Sequence, residues 1–173
     1  MTPTEINKAL DGMVLIVDTR EQNTPQLRQR LESAHCEYIR GKVDFGDYSA
    51  SFPLPGGETL DLSQIVSIER KMSVDELAMC FSTERPRFER EFERAKKAGA
   101  KLYLLVEHGD WGTIFRHEYA SRMKPASLLA SIFAYLARYN CQLIFCAPSE
   151  TGRLIKTILR YEGRERLEAM LND

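Results

Sequence analysis

Gln64-Ile65-Val66-Ser67-Ile68-Glu69-Arg70-Lys71-Met72-Ser73-Val74-Asp75-Glu76 is the stretch on which the fold turns. Gln64 to Glu69 is rich in β-branched apolar side chains and reads as a strand. Ser73 then opens a helix, because Glu76 three residues on completes the Ser-x-x-Glu box that satisfies free N–H groups at a helix start. A strand leading straight into a capped helix is a unit of an α/β domain.

Toward the N-terminus, Met13 to Val17 is a continuous apolar run ending at Asp18, the pattern of a strand buried on both faces. Pro25 to about Ser33 carries Leu27 and Leu31 at helical spacing, behind Thr24 as cap and Pro25 at the first helical position. A strand-like pair follows at Glu37–Arg40 and Asp47–Phe52, and the Pro53-Leu54-Pro55-Gly56-Gly57 turn predicts a hairpin from its flanks. Toward the C-terminus the helical pattern runs to about Ala98, with a break near Thr83–Pro86 and Gly99 as stop. Lys101–Glu107 is a buried strand, His108–Gly112 a loop, and Pro125–Tyr139 an amphipathic helix with Leu128, Leu129, Ile132, Phe133 and Leu136 on one face. Leu143–Cys146 is a last strand, and the chain is helical from Glu150. The expectation is one α/β domain over residues 1–173, a central mixed sheet flanked by helices, with an N-terminal antiparallel hairpin.

Composition narrows the class. The chain has 173 residues, 43% hydrophobic and 28% charged, as in ordinary globular proteins. No apolar run reaches the roughly 18 residues of a membrane-spanning helix, and Met-Thr-Pro-Thr-Glu-Ile does not open a secretory signal. Cys36, Cys80, Cys141 and Cys146 are scattered rather than paired as zinc ligands, which reads as an intracellular protein. With 24 basic and 25 acidic residues the net charge is −1, which argues against a high-affinity nonspecific nucleic-acid binder but leaves room for local positive charge.

Chemistry concentrates where the strand closes. Side chains alternate along a strand, so Glu69 and Lys71 share one face while Arg70 takes the other. A carboxylate beside an ammonium at a strand end can hold a hard divalent cation and position or deprotonate an attacking water. Taken alone, Glu-x-Lys is equally the pattern of an edge-strand ion pair. Asp47, 22 residues earlier across the predicted hairpin, is placed to reach Glu69. Asp followed by Glu-x-Lys on a neighbouring strand is the pattern of the restriction-endonuclease-like superfamily.

Four pieces in order resemble the nuclease domain of the XPF/Hef family of structure-specific endonucleases: Val17-Asp18-Thr19-Arg20-Glu21, Gly46-Asp47-Tyr48, Glu69-Arg70-Lys71 with Asp75 four residues on, and Phe81 to Arg94. The resemblance spans roughly Val14 to Phe145. It implies a restriction-endonuclease-like core, hydrolysis of DNA with Mg²⁺ or Mn²⁺, and forks, flaps or single-strand/double-strand junctions as substrates in repair or recombination. By the same resemblance Asp47 and Glu69 are metal ligands, Lys71 is the general base or water-positioning group, and Asp18, an outer carboxylate of the cluster, counts with them among the catalytic and metal-site residues. Arg20 and Arg70 support the site or meet a phosphate, and Asp75 braces it. A helix start favours a carboxylate anyway, so Asp75 also has a purely structural reading. Arg70 equally suits a salt bridge beneath the sheet, and Asp18 a turn cap.

Two departures stand out. The family's Gly-Arg is Pro86-Arg87 here and its Gln is Glu91, so substrate contact through Arg87 and its helix is less firmly implied. The tandem helix-hairpin-helix module that follows the nuclease domain in the family has no counterpart within these 173 residues. The family also implies a second nuclease domain as partner, a like copy or a degenerate one. A noncatalytic DNA-binding or scaffold subunit is the rival reading, and the intact carboxylates speak against it. The size and the resemblance suggest a prokaryotic or phage protein of the cytoplasm.

Overall fold

Parallel strands β5 (Val66–Lys71) and β6 (Lys101–Glu107) lie side by side in a register that sets Glu69 opposite Leu104 and Lys71 opposite Val106. The other strands are β1 (Val14–Asp18), β2 (Glu37–Gly41), β3 (Tyr48–Pro53), β4 (Thr59–Asp61) and β7 (Cys141–Cys146). They form one seven-stranded sheet in the order β2-β1-β3-β5-β6-β7, with β4 paired to β3 as the tip of a hairpin. Strand β3 runs antiparallel to its neighbours β1 and β5, whereas β1–β2, β5–β6 and β6–β7 are parallel. This computed structural model describes residues 1–171; the last two positions of the expected 1–173 domain lie outside the described residues.

Helices cover both faces because strand side chains alternate between two apolar clusters. On one face α1 (Pro3–Asp11), α2 (Pro25–Ala34) and α7 (Thr151–Ala169) enclose Leu10, Leu15, Val17, Leu27, Phe52, Val66, Ile68 and Leu159. On the other, α3 (Val74–Cys80), α4 (Arg85–Lys97), α5 (Trp111–Phe115) and α6 (Pro125–Arg138) enclose Leu77, Phe88, Phe92, Leu102, Leu104, Val106 and Tyr135. Glu69 and Lys71 follow Leu104 and Val106 onto the α3/α4 face, and Arg70 lies on the α2/α7 face.

The mixed sheet flanked by helices is the expected architecture, and several details differ. Helix α1 was not expected, although Thr2 and Glu5 form a reciprocal capping box and Ile6, Ala9 and Leu10 make a buried stripe. Within the expected His108–Gly112 loop, Asp110 and Thr113 cap the short helix α5. The pair Glu37–Arg40 and Asp47–Phe52 do not pair with each other: α2 carries the chain over so that β2 and β3 flank β1. At α3, Ser73 accepts from the Glu76 amide at 3.3 Å, but the Glu76 carboxylate accepts from Met72 N rather than Ser73 N. Phe133 is not on the buried face of α6. Tyr135 takes that place, and Phe133 stacks on Trp111 at 5.6 Å while staying more than half exposed.

Candidate active site

The loop from β2 to β3 delivers Asp47 to the end of β5. Its amide donates to the Ile68 carbonyl at 2.8 Å and its carbonyl accepts from the Asp18 amide at 2.9 Å. The Asp47 Oδ2 accepts from the Arg70 amide at 2.8 Å, so the side chain is fixed as firmly as the backbone. Gly46 makes this approach possible. Its φ of +82° is a left-handed conformation, and a Cβ there would come within 2.9 Å of Ser67 Cβ and 3.0 Å of the Ile68 carbonyl oxygen. Asp47 is half-buried, whereas Glu69 and Lys71 are buried.

Glu69 and Lys71 form an ion pair through Oε1 and Nζ. Lys71 Nζ also lies 3.9 Å from Glu76 Oε1 and 5.3 Å from the centre of the Phe88 ring. Burial works to lower the Lys71 pKa, but the charge of Glu69, with Cys80 and Asp47 also acting, raises it overall. Burial, then the negative charges of Glu69 and Glu21, push Asp47 well above the usual carboxylate range, and the Arg70 amide and Lys71 only partly offset this. Glu69 is also raised, by burial first and then by Glu91 and Glu76, against the pull of Lys71. Crowded carboxylates of this kind call for positive charge. Among the described residues no three His, Cys, Asp or Glu side chains converge closely enough to enclose an ion. Two hard oxygen donors fit the sparser style of Mg²⁺-type sites, where one or two carboxylates suffice and water or phosphate completes the shell.

Around this centre the other expected residues take distinct positions. Asp18, 1% exposed, accepts from the Arg20 amide (2.8 Å), Arg20 Nε (2.6 Å) and the Val43 amide (2.7 Å). Burial would raise its pKa, but these partners lower it overall. Arg20 reaches the carbonyls of Val43 (3.2 Å) and Gly46 (3.3 Å), so the pair anchors the loop that presents Asp47. Arg70, across the sheet, pairs with Glu107 at 2.8 Å. The Asp75 carboxylate accepts from the Ala120 and Ser121 amides at 2.6 and 3.0 Å, tying α3 to the segment between α5 and α6. Arg87 extends into solvent, 3.8 Å from Glu84.

Two features were not legible as function. Behind β5, Glu107 accepts from Thr151 (2.6 Å), and Arg30 joins Glu107 (3.7 Å) to Tyr48 (2.9 Å), whose hydroxyl donates to Glu21 (2.8 Å). These residues are scattered through the chain, so no local spacing announces the network. Glu91 accepts from the Gly46 amide at 2.8 Å. In the sequence it stands out only as a departure from a motif.

The family model of the ERCC4 domain matches residues 17–158. Among solved structures, XPF from Aeropyrum pernix is similar, with a TM-score of 0.60 and 23% identity over 86% of this chain and 61% of that one. XPF from Aeropyrum pernix in complex with DNA gives a TM-score of 0.63 and 22% identity over 88% of this chain and 66% of that one. This chain thus spans just under two thirds of the length of either. No curated protein matches it. The likeness to those structures identifies the sheet and its helices as the restriction-endonuclease-like fold. With the family model covering most of its length, the chain belongs to the ERCC4-domain family.

Proposed function

We propose that the chain is a metal-dependent DNA endonuclease that hydrolyses phosphodiester bonds, with forks, flaps or other junctions as its substrates in repair or recombination. The observation that carries this reading is the lodging of Asp47 against the end of β5, where its carboxylate joins the buried Glu69–Lys71 pair on one sheet face. Membership of the ERCC4-domain family supports it, as does the likeness to an XPF solved with DNA.

Asp47 and Glu69 would hold Mg²⁺ or Mn²⁺, which supplies positive charge against the phosphate under attack. Without metal, Lys71, whose pKa is raised, keeps its proton at neutral pH. With a cation on Glu69 it would stand beside the attacking water or a phosphate oxygen, as general base or water-positioning group. Asp18 and Arg20 act as positioning residues through the loop that carries Asp47. Arg70 holds the end of β5 through its amide and through Glu107, and Asp75 fixes a neighbouring segment. Arg87, exposed on α4, is free to meet the phosphate backbone. A second nuclease domain, like or degenerate, would share the grip on DNA.

Labelled fork, flap, duplex and single-stranded DNA, incubated with Mg²⁺ or Mn²⁺, test the reading. Wild-type protein should give metal-dependent products, strongest on one branched substrate, and Asp47→Ala and Lys71→Ala should each lower the rate at least ~100-fold. If no substrate is cut and both variants bind DNA like wild type, the chain is instead a noncatalytic DNA-binding subunit.

A further inference from the structure

Helix α4 touches the loop before Asp47 at two points. Arg94 Nε donates to the Asp44 carbonyl at 3.1 Å, and Glu91 Oε1 accepts from the Gly46 amide at 2.8 Å. The helix buries Phe88, Phe92 and Ala95, which leaves Glu91 half-buried on the flank. One turn earlier, the Phe88 ring packs beneath the Lys71 ammonium. The other acids of α4 have partners elsewhere: Glu89 faces Arg138 at 3.4 Å and Glu93 accepts from the Tyr139 hydroxyl at 2.6 Å. Among the described residues Glu91 joins no salt bridge.

We infer that Glu91 is a positioning residue of the carboxylate cluster: one oxygen pins the Gly46–Asp47 turn, and its charge helps concentrate a divalent cation beside Asp47 and Glu69. This rests on the reading of that cluster as a metal site. A carboxylate near the ligands contributes long-range attraction without coordinating, and outer partners of this kind typically change metal affinity about 10–100-fold. It also gives α4 a second task besides closing the core, since movement of the helix would be transmitted to the Asp47 loop through the Glu91 and Arg94 hydrogen bonds.

Glu91→Gln and Glu91→Ala separate the two contributions. Glutamine can still accept from the Gly46 amide but has no charge, and alanine has neither. Calorimetric titration of the metal-free proteins with Mn²⁺, beside thermal melts without metal and an Asp47→Ala control, provides the readouts. Glu91→Gln should bind Mn²⁺ about 10-fold more weakly than wild type while melting no lower without metal. Glu91→Ala should bind at least as weakly and also melt lower. Wild-type affinity in Glu91→Gln would overturn the inference, and so would equal loss of metal-free stability in both variants, which would make Glu91 merely structural. If wild type itself bound no Mn²⁺, or Asp47→Ala bound it equally well, the metal-site reading would fail and the inference with it.

Discussion

Asp47 carries a conflict that its neighbours do not resolve. Burial and the charges of Glu69 and Glu21 disfavour its ionised form, yet its backbone is tied to β1 and β5 and cannot withdraw. Such strain is tolerated in sites where a cation will settle it. Without metal, Asp47→Asn should therefore stabilise the protein, since asparagine keeps an acceptor for the Arg70 amide and drops the charge. A rise in melting temperature of about 2–4 °C is expected, the shift that ~1 kcal/mol gives in a chain of this size. Added Mn²⁺ should raise the wild-type melt and leave the variant unmoved. A metal-free variant less stable than wild type would contradict this account of the charge. At this scale the sequence was most informative for residues within one strand. Glu69 and Lys71 share a face by strand alternation alone, and Arg70 takes the opposite one, where its carboxylate partner is Glu107. Glu91 could not be found that way, because its contact with Gly46 crosses 45 residues of chain.

Elements were legible where caps and apolar periodicity agreed. Helix α2 begins as Thr24 and Pro25 predict, and β5 extends through the Glu-x-Lys pair. Helix α1 offered the same cues in Thr2, Glu5 and its apolar stripe, and was lost among the terminal residues. Phe133 was misplaced because α6 is apolar around much of its girth, so periodicity alone does not fix which face is buried. Strand order was beyond local pattern, since β2 and β3 are consecutive in sequence yet separated by β1. Close packing between helices makes its own prediction. Gly152 on α7 lies against α2 so tightly that a Cβ would overlap the Arg30 carbonyl and the Ser33 hydroxyl. Gly152→Ala should cost about 1–3 kcal/mol, read as a lower urea midpoint with unchanged slope. An unchanged midpoint would mean that α7 can shift off α2 freely.

Across the whole molecule, two sets of acids pull stability in opposite directions with pH. Glu162 is held by Lys101 (2.6 Å), Tyr103 (2.5 Å) and Arg166 (2.7 Å). Burial opposes the Glu162 charge, but these partners lower its pKa overall. Asp18 is lowered as well. Their stabilising effect is present above the ordinary carboxylate values of about 3.9–4.3 and is lost as pH falls through the lowered ones. Asp47 and Glu69 are raised, so what they contribute is present below those ordinary values and is lost as pH rises through the raised ones. Metal-free protein should thus be most stable at mildly acidic pH, and Glu162→Gln should flatten the loss of stability at the acid end. Urea midpoints between pH 3 and 8 decide it; an acid limb as steep in the variant as in wild type would remove Glu162 from the account.

Helix α7 has one further consequence. It closes the α1/α2 face, with Arg160 bonding the Leu10 carbonyl and Lys156 the His35 carbonyl. A ribosome that has made the first 150 residues therefore holds a sheet with one flank uncovered and Leu10, Leu27 and Leu31 short of their partners. Residues 151–169 must therefore be made before this face can close, so the core is completed late relative to synthesis of the sheet, and until then the open flank is the part exposed to misassembly.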